Sequence, residues 1–153
     1  MAISTAFIQQ FDVVSHYVVE CHPDVAARCL IDRRAEVNVG RLHLITGFWQ
    51  TVAPPFADSL FDGILFDTYP LTEAEVHRNH FDFFETAYRL LRPGGRLTYY
   101  SDEADGFSVE HYGRFLAAGF TAGSVDHQVC AVTQPADCEY WSQPSFTVPI
   151  IIR

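Results

Sequence analysis

Lysine is absent from this sequence, and asparagine occurs only at Asn38 and Asn79. All ten basic residues are arginine. Scarcity of both residue types is the mark of a GC-rich, bacterial genome and says nothing about chemistry. Positive charge is short as well: 19 acids against ten arginines leave a formal net charge of -9. A surface that neutralises phosphates needs the opposite balance, so a nucleic-acid partner is not expected. A small cationic or polar substrate suits the charge better. No apolar run reaches the roughly 18 residues of a membrane span. The run Val148-Pro149-Ile150-Ile151-Ile152 suits a strand instead, and no membrane partner is expected. Cysteine is sparse: Cys21 and Cys29 are eight apart, as are Cys130 and Cys138, so there is no CxxC metal knuckle. The first residues carry no basic segment of a secretory signal. The expectation is four reduced, structural thiols in a cytoplasmic protein. His77 and His80 are three apart but lack a third ligand, and read as surface or helix-entry residues. His16, His22, His43, His111 and His127 are scattered without pattern, so no metal is expected.

What is present describes a folded domain. The chain has 153 residues, 48% hydrophobic and 19% charged, which excludes a disordered segment and matches one domain with a core. Short β-like runs alternate with helical ones, the pattern of an α/β fold. Ile3 to Phe11 has helical spacing; His16–Cys21 reads as a strand ending in an acid; Val25 to Arg34 reads as a helix. Leu42–Thr46 and Phe61–Asp67 are further strands, the second the clearest in the chain. A long helix is expected from Glu73 to Leu91, stopped by Pro93-Gly94-Gly95 and followed by a strand over Arg96–Tyr100. An acidic loop spans Ser101–Gly106, and a short helix spans Val109–Ala118 with Gly119 as its C-cap. Val125–Val132 and Tyr140–Ile152 close the chain as two strands, joined through Gln134–Asp137 and suited to an antiparallel edge on a parallel sheet.

Several of these segments resemble one family. Phe61-Asp62-Gly63-Ile64-Leu65-Phe66-Asp67-Thr68-Tyr69-Pro70-Leu71 is similar to a signature of guanidinoacetate N-methyltransferases, an apolar strand running into Asp-Thr-Tyr-Pro. Arg89-Leu90-Leu91-Arg92-Pro93-Gly94-Gly95-Arg96-Leu97-Thr98-Tyr99 is similar to the helix end and strand that follow it there. Pro135–Tyr140, Val18–Cys21 and Gly47-Phe48-Trp49 match shorter family segments in the same order. The resemblance implies a single class I methyltransferase domain over residues 1–153, with a Rossmann-like, mostly parallel sheet, an antiparallel C-terminal strand and S-adenosylmethionine as cofactor. Arginine N-methyltransferases share that architecture with a different substrate end.

The family also carries a first strand and a turn of the form Glu-x-Gly-x-Gly-Met before the position of Met1. Here the first glycine is Gly40. The expectation is therefore that this central strand and its Gly-rich turn are missing, leaving two buried strand edges with unpaired backbone groups. A short homodimeric paralogue, with the sheet completed by a partner, is the alternative.

The resemblance assigns roles. Asp67, at the C-terminal end of a central strand, would grip the guanidino group, act as the base and lie beside the cofactor. Thr68 would contribute through its backbone and Tyr69 would line the methyl-transfer site. Asp62 reads as a turn residue at the strand's other end. Glu20 would accept both ribose hydroxyls, as a carboxylate can from a diol. Met1, Cys21, Gly47, Phe48 and Trp49 complete the cofactor side, the last three near the adenine. Asp102 and Glu103 depart from the family pattern. Acids placed there would repel a substrate carboxylate by about 1 kcal/mol per pair. The substrate would be a small guanidine such as guanidinoacetate, arginine or agmatine; acids at this place would favour a neutral or cationic tail, or a free amino acid whose amine meets the loop, and the alternative is a simple solvated acidic loop. Two rivals stand beside this reading: a non-catalytic binding or scaffold paralogue, and a class I methyltransferase acting on a carboxylate or on protein arginine.

Overall fold

In the computed structural model of the chain, residues 3–32, 41–68, 80–138 and 141–153 are described. They belong to two compact units, Met1–Phe56 and Ala57–Arg153. Met1, Tyr69 and the expected helix as far as residue 79 lie outside the described residues.

The first unit contains α1 (Ile3–Ile8), β1 (His16–Glu20), α2 (Pro23–Asp32), β2 (Leu42–Thr46) and α3 (Trp49–Val52). β1 and β2 pair in parallel, from His16 opposite Leu42 to Glu20 opposite Thr46. α2 starts on Pro23, whose missing N–H and fixed φ suit a first helical position, and Asp24 follows in the first turn. Arg41 fixes the entry to both strands. Its guanidinium is paired with Asp12 and donates to the Val13 carbonyl at 3.0 Å.

The second unit contains β3 (Phe61–Phe66), a 3-10 turn (Phe81–Phe83), α4 (Phe84–Leu90), β4 (Leu91–Tyr99), α5 (Val109–Ala117), a second 3-10 turn (Ala122–Ser124), β5 (Val125–Ala131) and β6 (Ser145–Ile152). The strand order is β3-β4-β6-β5. β3 and β4 are parallel, while β6 runs antiparallel to both its neighbours. Mostly parallel pairing up to β4 and an antiparallel C-terminal edge match the expectation.

Two details refine it. The helix ends at Leu90, one residue from the expected Leu91, but Phe81–Phe83 before it is a 3-10 turn, and the strand begins at Leu91, already extended, rather than at Arg96. Pro93 bars its predecessor Arg92 from the helical region, so the chain leaves the helix before reaching Pro93. Pro93-Gly94-Gly95 then forms an irregularity inside β4. Opposite Phe61 and Gly63 on β3 stand Leu91 and Arg96. Gly94 has φ +81, and a Cβ on Gly95 would lie 2.9 Å from the Arg92 carbonyl oxygen, so both positions require glycine. The strand edges are the second detail. Among the described residues β1 pairs only with β2 and β3 only with β4. The open edges agree with the expectation, while along the strands Tyr17, Val19 and Leu65 are exposed and Phe66 is buried.

The core of the second unit is aromatic. Phe84 and Phe115 stack with centroids 4.6 Å apart, and Tyr99, His80 and His111 pack around them. The C-terminal Arg153 closes the other end. Its guanidinium donates to Ser59 Oγ at 2.7 Å and to the Leu91 carbonyl, and lies over the Tyr88 ring. No described helix is long and apolar enough to cross a membrane.

Candidate active site

In the first unit Glu20, Cys21, Gly47, Phe48 and Trp49 gather at the C-terminal ends of β1 and β2. The Gly47 N–H donates to the Glu20 carbonyl at 3.0 Å, one step beyond the ladder. The Glu20 side chain is half-buried, and its Oε1 accepts the His22 N–H at 2.7 Å. That bond orients the carboxylate at the strand end. Gly47 has φ +153, and a Cβ there would meet Val52 Cγ2 at 3.0 Å. Its bare backbone therefore matters to this turn. Phe48 is exposed, and its carbonyl accepts the Val52 N–H that starts α3, while Trp49 is half-buried and Cys21 exposed. A fixed carboxylate, a bare glycine turn and two aromatic rings at adjacent parallel strand ends fit a nucleoside: diol to acid, base to ring.

In the second unit Asp67 and Thr68 follow β3 directly and are exposed. Because Phe66 stands opposite Tyr99, they lie at the same sheet end as the loop that follows β4. Asp102 has φ +56, left-handed backbone that aspartate tolerates better than most residues. Asp62 pairs with Arg92 at 2.7 Å at the opposite end of β3, in keeping with a turn role.

The acidic loop is fastened on two sides. Towards β6, Ser101 Oγ donates to the Thr147 carbonyl at 2.6 Å, the Thr147 N–H donates to the Glu103 carbonyl at 2.7 Å, and the Gly106 N–H donates to Thr147 Oγ1 at 2.7 Å. β4 and β6 pair only at Arg96–Ile152 and Leu97–Ile151. Pro149, without an N–H, stands where a later pairing would fall, so the ladder ends and the loop takes the freed groups. Towards α5, Glu103 Oε1 accepts the Ser108 N–H at 3.1 Å and meets His111 Nδ1 at 3.3 Å. The other imidazole nitrogen, Nε2, is hydrogen-bonded to the Tyr99 hydroxyl. Glu103, placed by the sequence at the substrate, thus has one carboxylate oxygen engaged by helix and loop.

His80 stands at a helix entry, as one of the two expectations had it: it is the N-cap of the first 3-10 turn. Neither it nor His111 is a surface residue: their exposures are 2% and 1%, and their rings stack at 4.9 Å. Ser108-x-x-His111-x-x-x-Phe115 was the available signal, since an N-cap followed by that spacing turns His111 and Phe115 to one helix face. Burial lowers the His111 pKa from 6.5 to about 4, against the opposing pull of Glu103 and Glu110. The same burial, with Glu103 nearby, pushes the Tyr99 phenol up. The unfolded chain therefore takes up a proton at pH 6.5 that the folded chain refuses until about pH 4. Stability from this group is complete above pH 6.5 and is lost as the pH falls to about 4. At about 1.4 kcal/mol per tenfold change in proton affinity, the loss reaches about 3 kcal/mol. Urea unfolding at pH 7.5, 5.5 and 4.5 should show that decline in the wild type, and a flatter profile in His111→Gln.

Comparisons with known proteins decide the family. A family model described as guanidinoacetate N-methyltransferase matches residues 1–153. The chain belongs to this family. It is also similar to Protein arginine N-methyltransferase 2 of Kluyveromyces lactis, with 29% identity over 104 residues, 66% of this chain and 24% of the relative. The matching stretch is thus about a quarter of that relative's length. Among solved structures, spermidine synthase from Thermotoga maritima covers 97% of the chain and 49% of its own, with TM-score 0.64 and 14% identity. PigF with SAH covers 99% and 47%, with TM-score 0.58 and 14% identity. These likenesses show the fold, a class I methyltransferase α/β fold.

Proposed function

We propose that the chain forms part of an S-adenosylmethionine-dependent N-methyltransferase acting on the guanidino group of a small molecule. The observation that carries this reading is Asp67, exposed at the end of β3 and at the same sheet end as the Asp102–Glu103 loop. Family membership supports it. A guanidinium has no free lone pair at neutral pH, so a nitrogen becomes nucleophilic only as it loses a proton. Asp67 would hold two N–H groups, align the third nitrogen and take the proton as attack proceeds. Glu20 would hold the ribose hydroxyls, and Phe48 and Trp49 would flank the adenine. When bound, the cofactor supplies an electrophilic methyl group and leaves as S-adenosylhomocysteine. Asp102 beside the substrate tail favours a neutral or cationic group there, so agmatine or arginine is expected ahead of guanidinoacetate.

Calorimetric titration with S-adenosylhomocysteine tests the cofactor half. Saturable binding is expected, weakened at least about tenfold in Glu20→Ala, the worth of a charge-assisted bidentate contact. A methylation assay with the three guanidines tests the other half. Preference for guanidinoacetate would remove the proposed role of the loop, and a folded chain that binds no S-adenosylhomocysteine would favour the non-catalytic reading.

A further inference from the structure

We infer that His111 is a positioning residue that locks the acidic loop, at the same sheet end as Asp67, from inside the core. The consequence for substrate rests on the proposed function above; the lock itself does not.

A carboxylate only accepts, so His111 Nδ1 carries the hydrogen and donates it to Glu103 Oε1. Nε2 is then an acceptor, and the Tyr99 O–H donates to it. The result is a directional chain from phenol through neutral imidazole to carboxylate. The ring cannot readily turn. It stacks on His80 at 4.9 Å and packs against Phe107 at 4.8 Å and Phe115 at 5.3 Å. Turned over, it would set carbon atoms against both Glu103 and Tyr99. The charged and titratable groups around it are Glu103 from the loop, Glu110 from its own helix, Tyr99 from β4 and His80 before the 3-10 turn.

The loop depends on this contact. Thr147 grips the backbone of Glu103 and Gly106 on one side. On the other, the Glu103 carboxylate is the bridge to α5, through His111 Nδ1 and the Ser108 N–H. Asp102 sits between Ser101 and Glu103 with φ +56. Such backbone persists where both neighbours are held. Ser101 is held by Thr147, and Glu103 by Thr147 and His111. Releasing Glu103 loosens the acidic loop at the sheet end it shares with Asp67, without touching Asp67 itself.

The first measurement is nitrogen NMR of the wild-type imidazole. The proton is expected on Nδ1; a proton on Nε2 overturns the inference. The second is amide hydrogen exchange in three variants. His111→Asn places an amide nitrogen near the position of Nδ1 and keeps the donor to Glu103. His111→Gln reaches instead towards the position of Nε2, and His111→Phe supplies neither. Exchange at Gly106 and Ser108 should quicken at least about tenfold in the Gln and Phe variants, the scale of a lost hydrogen bond to a charged group. It should stay near wild type in His111→Asn, with β5–β6 amides protected in every case. Unchanged protection at Gly106 and Ser108 in a folded His111→Phe overturns the lock. If the Phe and Gln variants do not fold, His111→Asn decides: retained protection supports it and lost protection overturns it. In methylation assays His111→Gln should raise KM for agmatine several-fold with kcat little changed, and His111→Asn should restore KM. A wild-type chain that turns over no guanidine would defeat the proposed function and leave the exchange result standing.

Discussion

Asp67→Asn is expected to lower kcat for guanidine methylation by at least about a hundredfold, the range in which a positioned general base contributes. The substitution keeps shape and hydrogen-bonding capacity while removing the ability to take a proton. It also replaces a charge-assisted pair with a guanidinium by a neutral one, so KM should rise as well. Among the described residues no fold contact is built on that carboxylate: Asp67 is exposed just beyond the last residue of β3. Stability should therefore change by no more than about 0.5 kcal/mol, as for ordinary surface positions. Binding of S-adenosylhomocysteine should survive, since the cofactor role is assigned chiefly to Glu20 and the Gly47 turn. The combination is diagnostic: unchanged unfolding, retained nucleoside binding and lost turnover. Activity within about threefold of wild type would remove Asp67 as the base, because a general base cannot be deleted so cheaply.

The sequence disclosed elements where a local pattern and a tertiary role coincide. β3 was legible because Phe61–Phe66 is an apolar run bounded by turn residues, and the acid after it takes its meaning from its place at a strand's end. β5 and β6 were legible as a closing antiparallel pair, although β6 starts at Ser145, later than the pattern suggested. Pro93-Gly94-Gly95 misled because the same residues serve as a helix stop and as a strand irregularity. Only the close approach of Gly95 to Phe61 and Arg92 separates the two. The histidines were illegible for a different reason. Whether His111 is buried depends on a ring arriving from β4 and a carboxylate from the loop, separated from it by twelve and eight residues. Such encounters leave no periodicity. Glu103 read as an acid at the substrate or one in a solvated loop, while its carboxylate oxygen is turned to the N-terminus of α5, where a helix favours negative charge.

Phe84→Ala is expected to cost about 3–5 kcal/mol, the range for deleting a buried aromatic ring. Phe84 is 1% exposed and stacks on Phe115 at 4.6 Å and 15°. It also meets Phe81 at 5.7 Å, Tyr99 at 5.2 Å and His111 at 5.9 Å. The cavity would be lined from β4, α5 and the 3-10 turn at once, so no single element could move in to fill it. That rigidity places the cost in the upper part of the range. Phe84→Leu retains most of the apolar volume and should cost less than half as much. Chemical denaturation of the three proteins at pH 7.5 gives the comparison, and a change below about 1 kcal/mol for Phe84→Ala would show that the cluster collapses freely. The same variant carries a second, sharper expectation. The ring cluster excludes water from His111, and that exclusion holds the imidazole neutral. With Phe84 truncated, the His111 pKa should rise towards 6.5. Protonation near pH 6 would place a hydrogen on Nε2, where the Tyr99 phenol donates. Loss of core packing would then read out at the acidic loop as faster exchange at Gly106 and Ser108 in mild acid. Aromatic packing in the core and the set of the substrate loop would prove to be one physical property, joined through a single buried ring.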